Sequence, residues 1–200
     1  MVVFLARRAH NLITEGNLAK KEQPEEIAQH NIPSYLIKMR GKGKSPLKVN
    51  TKDVITGFMG GAITIFILGL LTRFTYTPLL IASFGASCVL AFGLWNSPLS
   101  QPRNIIGGHF ISTLIGLVVY YIFGNEPWSL ALGVGLALGL MMLTKTTHPP
   151  AGADPIIVIL GSYTWEYLFT PVLTGSIVIV LMALLINNLR SDRKYPVFWI

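Results

Sequence analysis

Charge is scarce along most of this chain. Between Val54 and Leu189 the charged side chains are Arg73, Arg103, Glu126, Lys145, Asp154 and Glu166, and there are no others. A soluble domain is charged at about a quarter of its positions. This 200-residue chain is charged at 12% and is 52% hydrophobic, with a mean hydropathy of +0.55. So few charges cannot keep a water-facing surface solvated, whereas a lipid-facing one needs none. Cysteine is nearly absent: Cys88 stands alone, so the chain forms no disulfide with itself. No secretory leader is expected, because the first apolar run stops at Arg7 and no small-residue cleavage site follows. Metal-ligand spacings, a nucleophile-elbow motif, a Walker loop and an arginine-rich voltage sensor are all missing. The expectation is therefore a protein without a cofactor or resident metal, and not an enzyme.

The charge that is present is mostly positive, with a net value of +7. It is not spread as a nucleic-acid surface would need. Lys38, Arg40, Lys42, Lys44, Lys48 and Lys52 precede the first apolar run, with no acid between Glu26 and Asp53; Arg190, Arg193 and Lys194 follow the last. Lys and Arg beside membrane spans mark the cytoplasmic side. Both termini are expected there, with an even number of crossings, in a multi-pass protein of the bacterial inner membrane. The expected partners are the bilayer and a small ion, not nucleic acid.

Residues 1–50 form a cytoplasmic extension, with an amphipathic segment at 2–18 and a flexible basic linker at 41–46. A transmembrane domain occupies 51–190 and a short cytoplasmic tail 191–200. Six apolar segments are expected, at about 54–72, 78–95, 104–123, 129–144, 154–161 and 168–188. Thr51 and Asp53 are the candidate N-caps of the first. Glu126-Pro127 reads as a helix start with Trp128 at interfacial depth, and Tyr163, Trp165, Tyr167 and Phe169 as an aromatic belt. The fifth segment is too short to span without its preceding loop. Six crossings place Arg103 and Lys145 inside, and Arg73, Glu126 and Glu166 outside.

A faint repeat accompanies this. Gly85-Ala86-Ser87 returns as Gly152-Ala153-Asp154, 67 positions on, and Gly93 and Gly107 return as Gly161 and Gly175, 68 positions on. Three segments per half would invert the second half relative to the first, as in many transporters. The fold class expected is thus an all-α polytopic bundle of two inverted three-segment repeats, about 51–124 and 127–189, with broken or re-entrant helices. Gly60, Gly61, Gly133, Gly135 and Gly139 suit close helix contacts, within the chain or between copies in a homo-oligomer.

The least ordinary stretch is His148-Pro149-Pro150-Ala151-Gly152-Ala153-Asp154-Pro155. Adjacent prolines break a helix, and Asp154-Pro155 reads as a cap and restart. A half-helix N-terminus at membrane depth offers unpaired N–H groups to an anion. Ser83, Gly85, Ala86 and Ser87 form the matching small-residue element of the first half. Arg103 and Asn104 open the third segment, and His109 lies about a turn and a half inside it. An intramembrane imidazole is costly without a partner or a cavity. His148 is similar and sits beside the break.

Ser83-Phe84-Gly85-Ala86-Ser87, Ser97-Pro98-Leu99-Ser100-Gln101-Pro102-Arg103-Asn104, Gly107-Gly108-His109 and His148-Pro149-Pro150-Ala151-Gly152-Ala153 together resemble the HPP family of integral membrane proteins, over roughly residues 33–200. That family is usually described with four membrane helices, two fewer than the segments counted here. Members in cyanobacteria and chloroplast envelopes are associated with nitrite transport, so the resemblance implies a nitrite transporter. The expected site lies between the Gly85–Ser87 and Pro150–Asp154 turns. It takes in Ser83, Gly85, Ala86, Ser87, Arg103, Asn104, His109, His148, Pro149, Pro150, Gly152, Ala153 and Asp154. An anion channel, a membrane-embedded metal-dependent enzyme or sensor, and an assembly subunit remain as alternatives.

Overall fold

The structure, a computed structural model, describes residues 36, 38–39, 43–46 and 48–200. The amphipathic segment expected at 2–18 lies outside the described residues. Two units divide after Leu47, and the second carries the helices named here: α1 (Thr51–Thr75), α2 (Ala82–Cys88), α3 (Pro102–Phe123), α4 (Pro127–Leu143), α5 (Asp154–Gly161) and α6 (Thr174–Asn188). A π-helical turn, Val89–Gly93, prolongs α2; a 3₁₀ turn, Pro149–Ala153, leads into α5; a second π-helical turn, Leu168–Leu173, leads into α6. Among the described residues there is no strand.

Burial confirms the solvent this bundle is built for. His109, His148, Gln101, Ser112 and Thr113 are wholly buried, while Phe58, Phe66, Leu143 and Leu185 stand exposed. In water that distribution would be upside down. It suits a chain whose outer surface meets hydrocarbon and whose polar groups must be satisfied inside. On α1 the buried residues are Thr56, Gly60, Thr64 and Leu68, one stripe at four-residue spacing. Ile65 and Leu71 flank that stripe, partly buried against the core, and Val54, Phe58, Phe66 and Phe74 face outward.

Three helical stretches, Thr51–Thr75, Pro102–Phe123 and Leu168–Asn188, are long and apolar enough to cross a bilayer. With α4, at 17 residues, they make four long elements. The other two, Ala82–Gly93 and Pro149–Gly161, rise only about 18–20 Å at 1.5 Å per residue, against a hydrocarbon core of about 30 Å. Four long helices plus two half-length ones reconcile the four helices of the family description with the six apolar segments. Neither half-helix is long enough to cross by itself, as the sequence indicated for the fifth segment; the second, expected at about 78–95 as a crossing, is helical only over Ala82–Gly93.

Local signals explain the boundaries. Asn50 caps α1 by accepting from the Lys52 amide, so the caps expected at Thr51 and Asp53 are corrected: both residues already lie inside the helix. Helix α4 starts at Glu126-Pro127, as expected, with Pro127 at its first position and the Glu126 amide donating to Ser129 Oγ (3.0 Å). Asp154 was expected to cap α5 but makes no capping bond. The chain is already helical at Ala153, and the break lies one turn earlier, where His148 is extended (φ −137°, ψ 102°) ahead of Pro149. The Asp154 carboxylate is therefore available to neighbouring helices.

Helix α3 is the hub, packing against α4, α5, the Pro149–Ala153 turn and α6. Helix α1 packs on α2 with its π turn and on α6. At the end where α3 finishes, Tyr121 stacks on Trp165, Phe123 meets Trp128 edge-on and Tyr163 stacks on Tyr167. At the opposite end, the tail expected to be a simple cytoplasmic extension folds back. Arg193 donates to Phe92 O (2.9 Å) and Asn187 Oδ1 (2.7 Å) and pairs with Asp53 (2.7 Å). Tyr195 donates to Ser100 O (2.8 Å), and burial pushes its phenol above the ordinary range, so it stays a donor. Val197 N donates to Gln101 Oε1 (2.8 Å). This tail thereby fixes the 97–101 loop.

Arg193→Met removes charge-assisted hydrogen bonds and leaves two buried acceptors open. We expect a loss of about 2–3 kcal/mol, seen as a lower unfolding midpoint in detergent. A change within about 0.5 kcal/mol would mean the tail contacts contribute nothing.

Candidate functional site

Helix α2 and the turn leading into α5 meet against α3, and their polar side chains come together there. On α2, Ser83 and Ser87 are one turn apart and buried. On α3, His109, Ser112 and Thr113 share one face at three- and four-residue spacing. The break before α5 supplies His148, and α5 supplies Asp154. Ser87, His109 and His148 have no exposed surface, and Asp154 is 1% exposed.

The contacts form one chain. Ser87 Oγ lies 2.8 Å from His109 Nε2 and 2.8 Å from His148 Nε2. His109 Nδ1 is 2.6 Å from Asp154 Oδ2, and His148 Nδ1 is 2.8 Å from Leu99 O. Ser83 Oγ donates to Asp154 Oδ1 (2.8 Å), and Thr113 Oγ1 approaches Oδ2 (3.4 Å). Ser112 donates to Ala151 O (2.5 Å), which anchors the 3₁₀ turn to α3. The imidazole centroids are 5.1 Å apart, and Phe84 packs edge-on to His109 at 5.3 Å. Because the Leu99 carbonyl and a carboxylate both accept, each neutral ring carries its proton on Nδ1 and presents a lone pair at Nε2.

Of the residues expected at the site, Ser83, Ser87, His109, His148 and Asp154 are brought together. Gly85 and Ala86 are not: the stretch expected as a turn is helix, and both face outward from α2. Arg103 and Asn104 clasp the end of α4 and the break instead, with Arg103 Nη2 on Thr144 O (2.8 Å) and Asn104 Nδ2 on Thr147 O (2.9 Å). Pro149 is exposed and Pro150 buried; Gly152 and Ala153 are half-buried on the turn. The slot expected between the two half-helices is closed by the Ser83–Asp154 and Ser87–His148 contacts. Sequence reasoning missed Ser112, Thr113 and the Leu99 carbonyl; the signal for the first two was their spacing from His109.

No group of three His, Cys, Asp or Glu side chains that could hold a metal occurs among the described residues. The ring nitrogens of His109 and His148 are all engaged.

Gly108 decides how closely the break approaches α3. A Cβ there would lie 2.7 Å from His148 Cβ and 2.9 Å from Thr146 O. Gly108→Val is expected to lever His148 off Ser87 and to cost about 1–3 kcal/mol by unfolding in detergent. A Cβ at Gly152 meets nothing within 4 Å, so Gly152→Ala should stay within about 0.5 kcal/mol of the parent. Equal effects would show that the break is not packed as described.

The sequence profile described as "HPP, transmembrane region" matches residues 46–196. Two transmembrane proteins of Dictyostelium discoideum are similar to this chain. One is 38% identical, over 82% of this chain and 57% of its own length. The other is 35% identical, over 80% of this chain and 60% of its own length. The chain thus spans somewhat under two thirds of the curated relatives it matches. No solved structure matches it.

Proposed function

The chain belongs to the HPP family of transmembrane proteins, and on that premise we propose that it carries a small inorganic anion, nitrite, across its membrane. One observation carries the reading: two buried imidazoles converge on a single hydroxyl where two half-helices meet inside the bundle. Half-helices meeting at the centre of a membrane domain are how secondary transporters build substrate sites. Ser87, His109 and His148 are the donors for the anion's oxygens. Asp154 repels an anion unless its charge is balanced. The described state is closed over the cluster. A cavity of about 780 Å³, lined among others by Thr77, Leu80, Tyr163, Glu166 and Pro171, includes Ala82, the neighbour of Ser83; we take it as the approach.

Packing supports the inverted repeat as part of this proposal. Helix α1 meets α6 as α4 meets α3, α1 meets α2 as α4 meets α5, and α2 meets α6 as α5 meets α3. Charge supports both termini on the cytoplasmic side: Asp53, Arg190 and Arg193 cluster at one end of the bundle, and Glu126 lies at the other, after the C-terminus of α3. A bacterial inner membrane and a homo-oligomer are the settings the sequence suggested for it.

The test is nitrite entry into proteoliposomes against empty liposomes at matched pH, since nitrous acid crosses bilayers unaided. Saturable entry that falls at least about tenfold (about 1.4 kcal/mol) in Ser87→Ala and His148→Ala, with folding intact, is the expected result. Entry equal to empty liposomes overturns it, and entry that never saturates favours a channel.

A second reading has one specific observation. Ser87, His109 and Asp154 are linked as a nucleophile, a base and its orienting carboxylate would be. Against it, Ser87 sits within α2, so backbone N–H groups near it serve the helix rather than an oxyanion. A fluorophosphonate probe that labels the protein, but not Ser87→Ala, would establish a hydrolase; absence of labelling removes it.

A further inference from the structure

We infer that the cluster around Ser87 binds one proton beyond those its neutral imidazoles and hydroxyl carry, and that the Ser87 hydroxyl relays this proton between His109 and His148. The argument is a count of hydrogens. Four short contacts run in series: Leu99 O to His148 Nδ1, His148 Nε2 to Ser87 Oγ, Ser87 Oγ to His109 Nε2, and His109 Nδ1 to Asp154 Oδ2. Each needs one hydrogen between its two heavy atoms. The carbonyl and an ionised carboxylate bring none. The hydroxyl brings one, and each neutral imidazole brings one. That is three hydrogens for four contacts.

Nearby hydroxyls are committed elsewhere. The Ser83 hydrogen goes to Asp154 Oδ1, that of Thr113 faces Oδ2, and that of Ser112 goes to Ala151 O. Without a fourth hydrogen, two lone pairs would face each other at 2.8 Å in a site with no exposure. With it, each of these four contacts is satisfied, only the longer approach of Ser87 Oγ to the Ser83 carbonyl (3.2 Å) being given up, and the extra positive charge cancels that of Asp154. Neutrality matters because, among the described residues, no other charged side chain is bonded to the cluster. Arg103 is engaged with Thr144 O, and Lys145 is exposed. Tyr167, just before the Leu168–Leu173 turn, is a further titratable side chain near Asp154.

Two complete arrangements exist. In one, Ser87 donates to His148 and the extra proton belongs to the His109–Asp154 pair. In the other, Ser87 donates to His109 and His148 is the imidazolium. They interconvert when His109 Nε2 passes its proton to Ser87 Oγ as the Ser87 proton moves to His148 Nε2. No heavy atom moves, and charge is conserved. The two imidazoles come from different halves of the chain, so the proton passes from one half to the other. As a coupling ion, this proton rests on the transport reading above; as a bound proton it does not.

The test is ¹⁵N NMR of histidine-labelled protein in lipid nanodiscs at pH 8, where ordinary imidazoles, with pKa about 6.5, are neutral. His10→Gln and His30→Gln remove the other two histidines. An imidazolium signal at His109 or His148, or His109 with its single proton on Nε2, is expected. It should be lost in Asp154→Asn, where the balancing charge is gone. Should that variant not fold, His148→Gln serves, because its amide brings a hydrogen to Ser87 without charge. Both rings neutral with their protons on Nδ1 overturns the proposal. In proteoliposomes holding a pH dye, a nitrite gradient should move protons in the parent but not in Asp154→Asn. Nitrite entry without proton movement overturns the coupling role. A bound proton with no nitrite entry upholds the site and overturns the nitrite reading.

Discussion

A half-length helix inside an apolar bundle leaves backbone and side-chain polar groups far from water, and each needs a partner supplied by the protein. In this chain much of that demand is met at one place, with Arg193 and Asn187 serving Phe92 O and Ala91 O at the far end of α2. Ser83 on α2 donates to Asp154 on α5, and the line continues through His109, Ser87 and His148 to the Leu99 carbonyl. Both half-helices, the break before α5 and the 97–101 loop are tied to one another and to α3 by it. Losing one member strands its neighbours. Breaking a buried charged pair commonly costs about 3–5 kcal/mol, a large fraction of a domain's net stability.

The break itself follows from this arrangement. If Asp154 capped its own helix, its carboxylate would be spent on local amides. Pro149 starts the helical turn one residue after His148, so Asp154 is already helical and its side chain reaches α3. His148 is placed by the same step, since an extended residue before a proline turns its side chain out of the helical path. The absence of a Cβ at Gly108 then lets His148 approach α3. Three ordinary local rules, for Pro, Gly and a missing cap, deliver the two side chains that face Ser87.

Much of this was legible in the sequence, for reasons that can be named. Segment limits followed from apolar runs and from Pro127 and Glu126. His109, His148, Asp154, Ser83 and Ser87 stood out because polar groups in apolar runs need partners. Where sequence reasoning failed, it failed on direction. Gly85 and Ala86 share their segment with Ser83 and Ser87, but helical geometry turns them to the opposite face. Arg103 carries the right charge for an anion, yet more than one and a half turns of helix separate it from His109, and Thr144 O takes it. Length was the other difficulty: an apolar run does not say where its helix stops, and the π-helical turn that ends α2 at Gly93 has no sequence signal of its own.

The transport proposed above requires that the closed cluster open, and its contacts limit what could open it. Ser87 is the junction: separating α2 from α3 and the break exposes two imidazole nitrogens and one hydroxyl together. A ligand lowers that cost only if it offers acceptors to the hydrogens left behind. Nitrite has two acceptor oxygens set apart by one nitrogen, enough to take the Ser87 hydroxyl and one protonated ring. A cation would face those same hydrogens and be repelled, and an apolar ligand would leave them unpaired. On the proposed reading the cluster selects through its donors, while the proposed proton, held on the rings by Asp154, keeps the empty site neutral. On this view the carboxylate that looked adverse to an anion is what keeps an N–H ready for it.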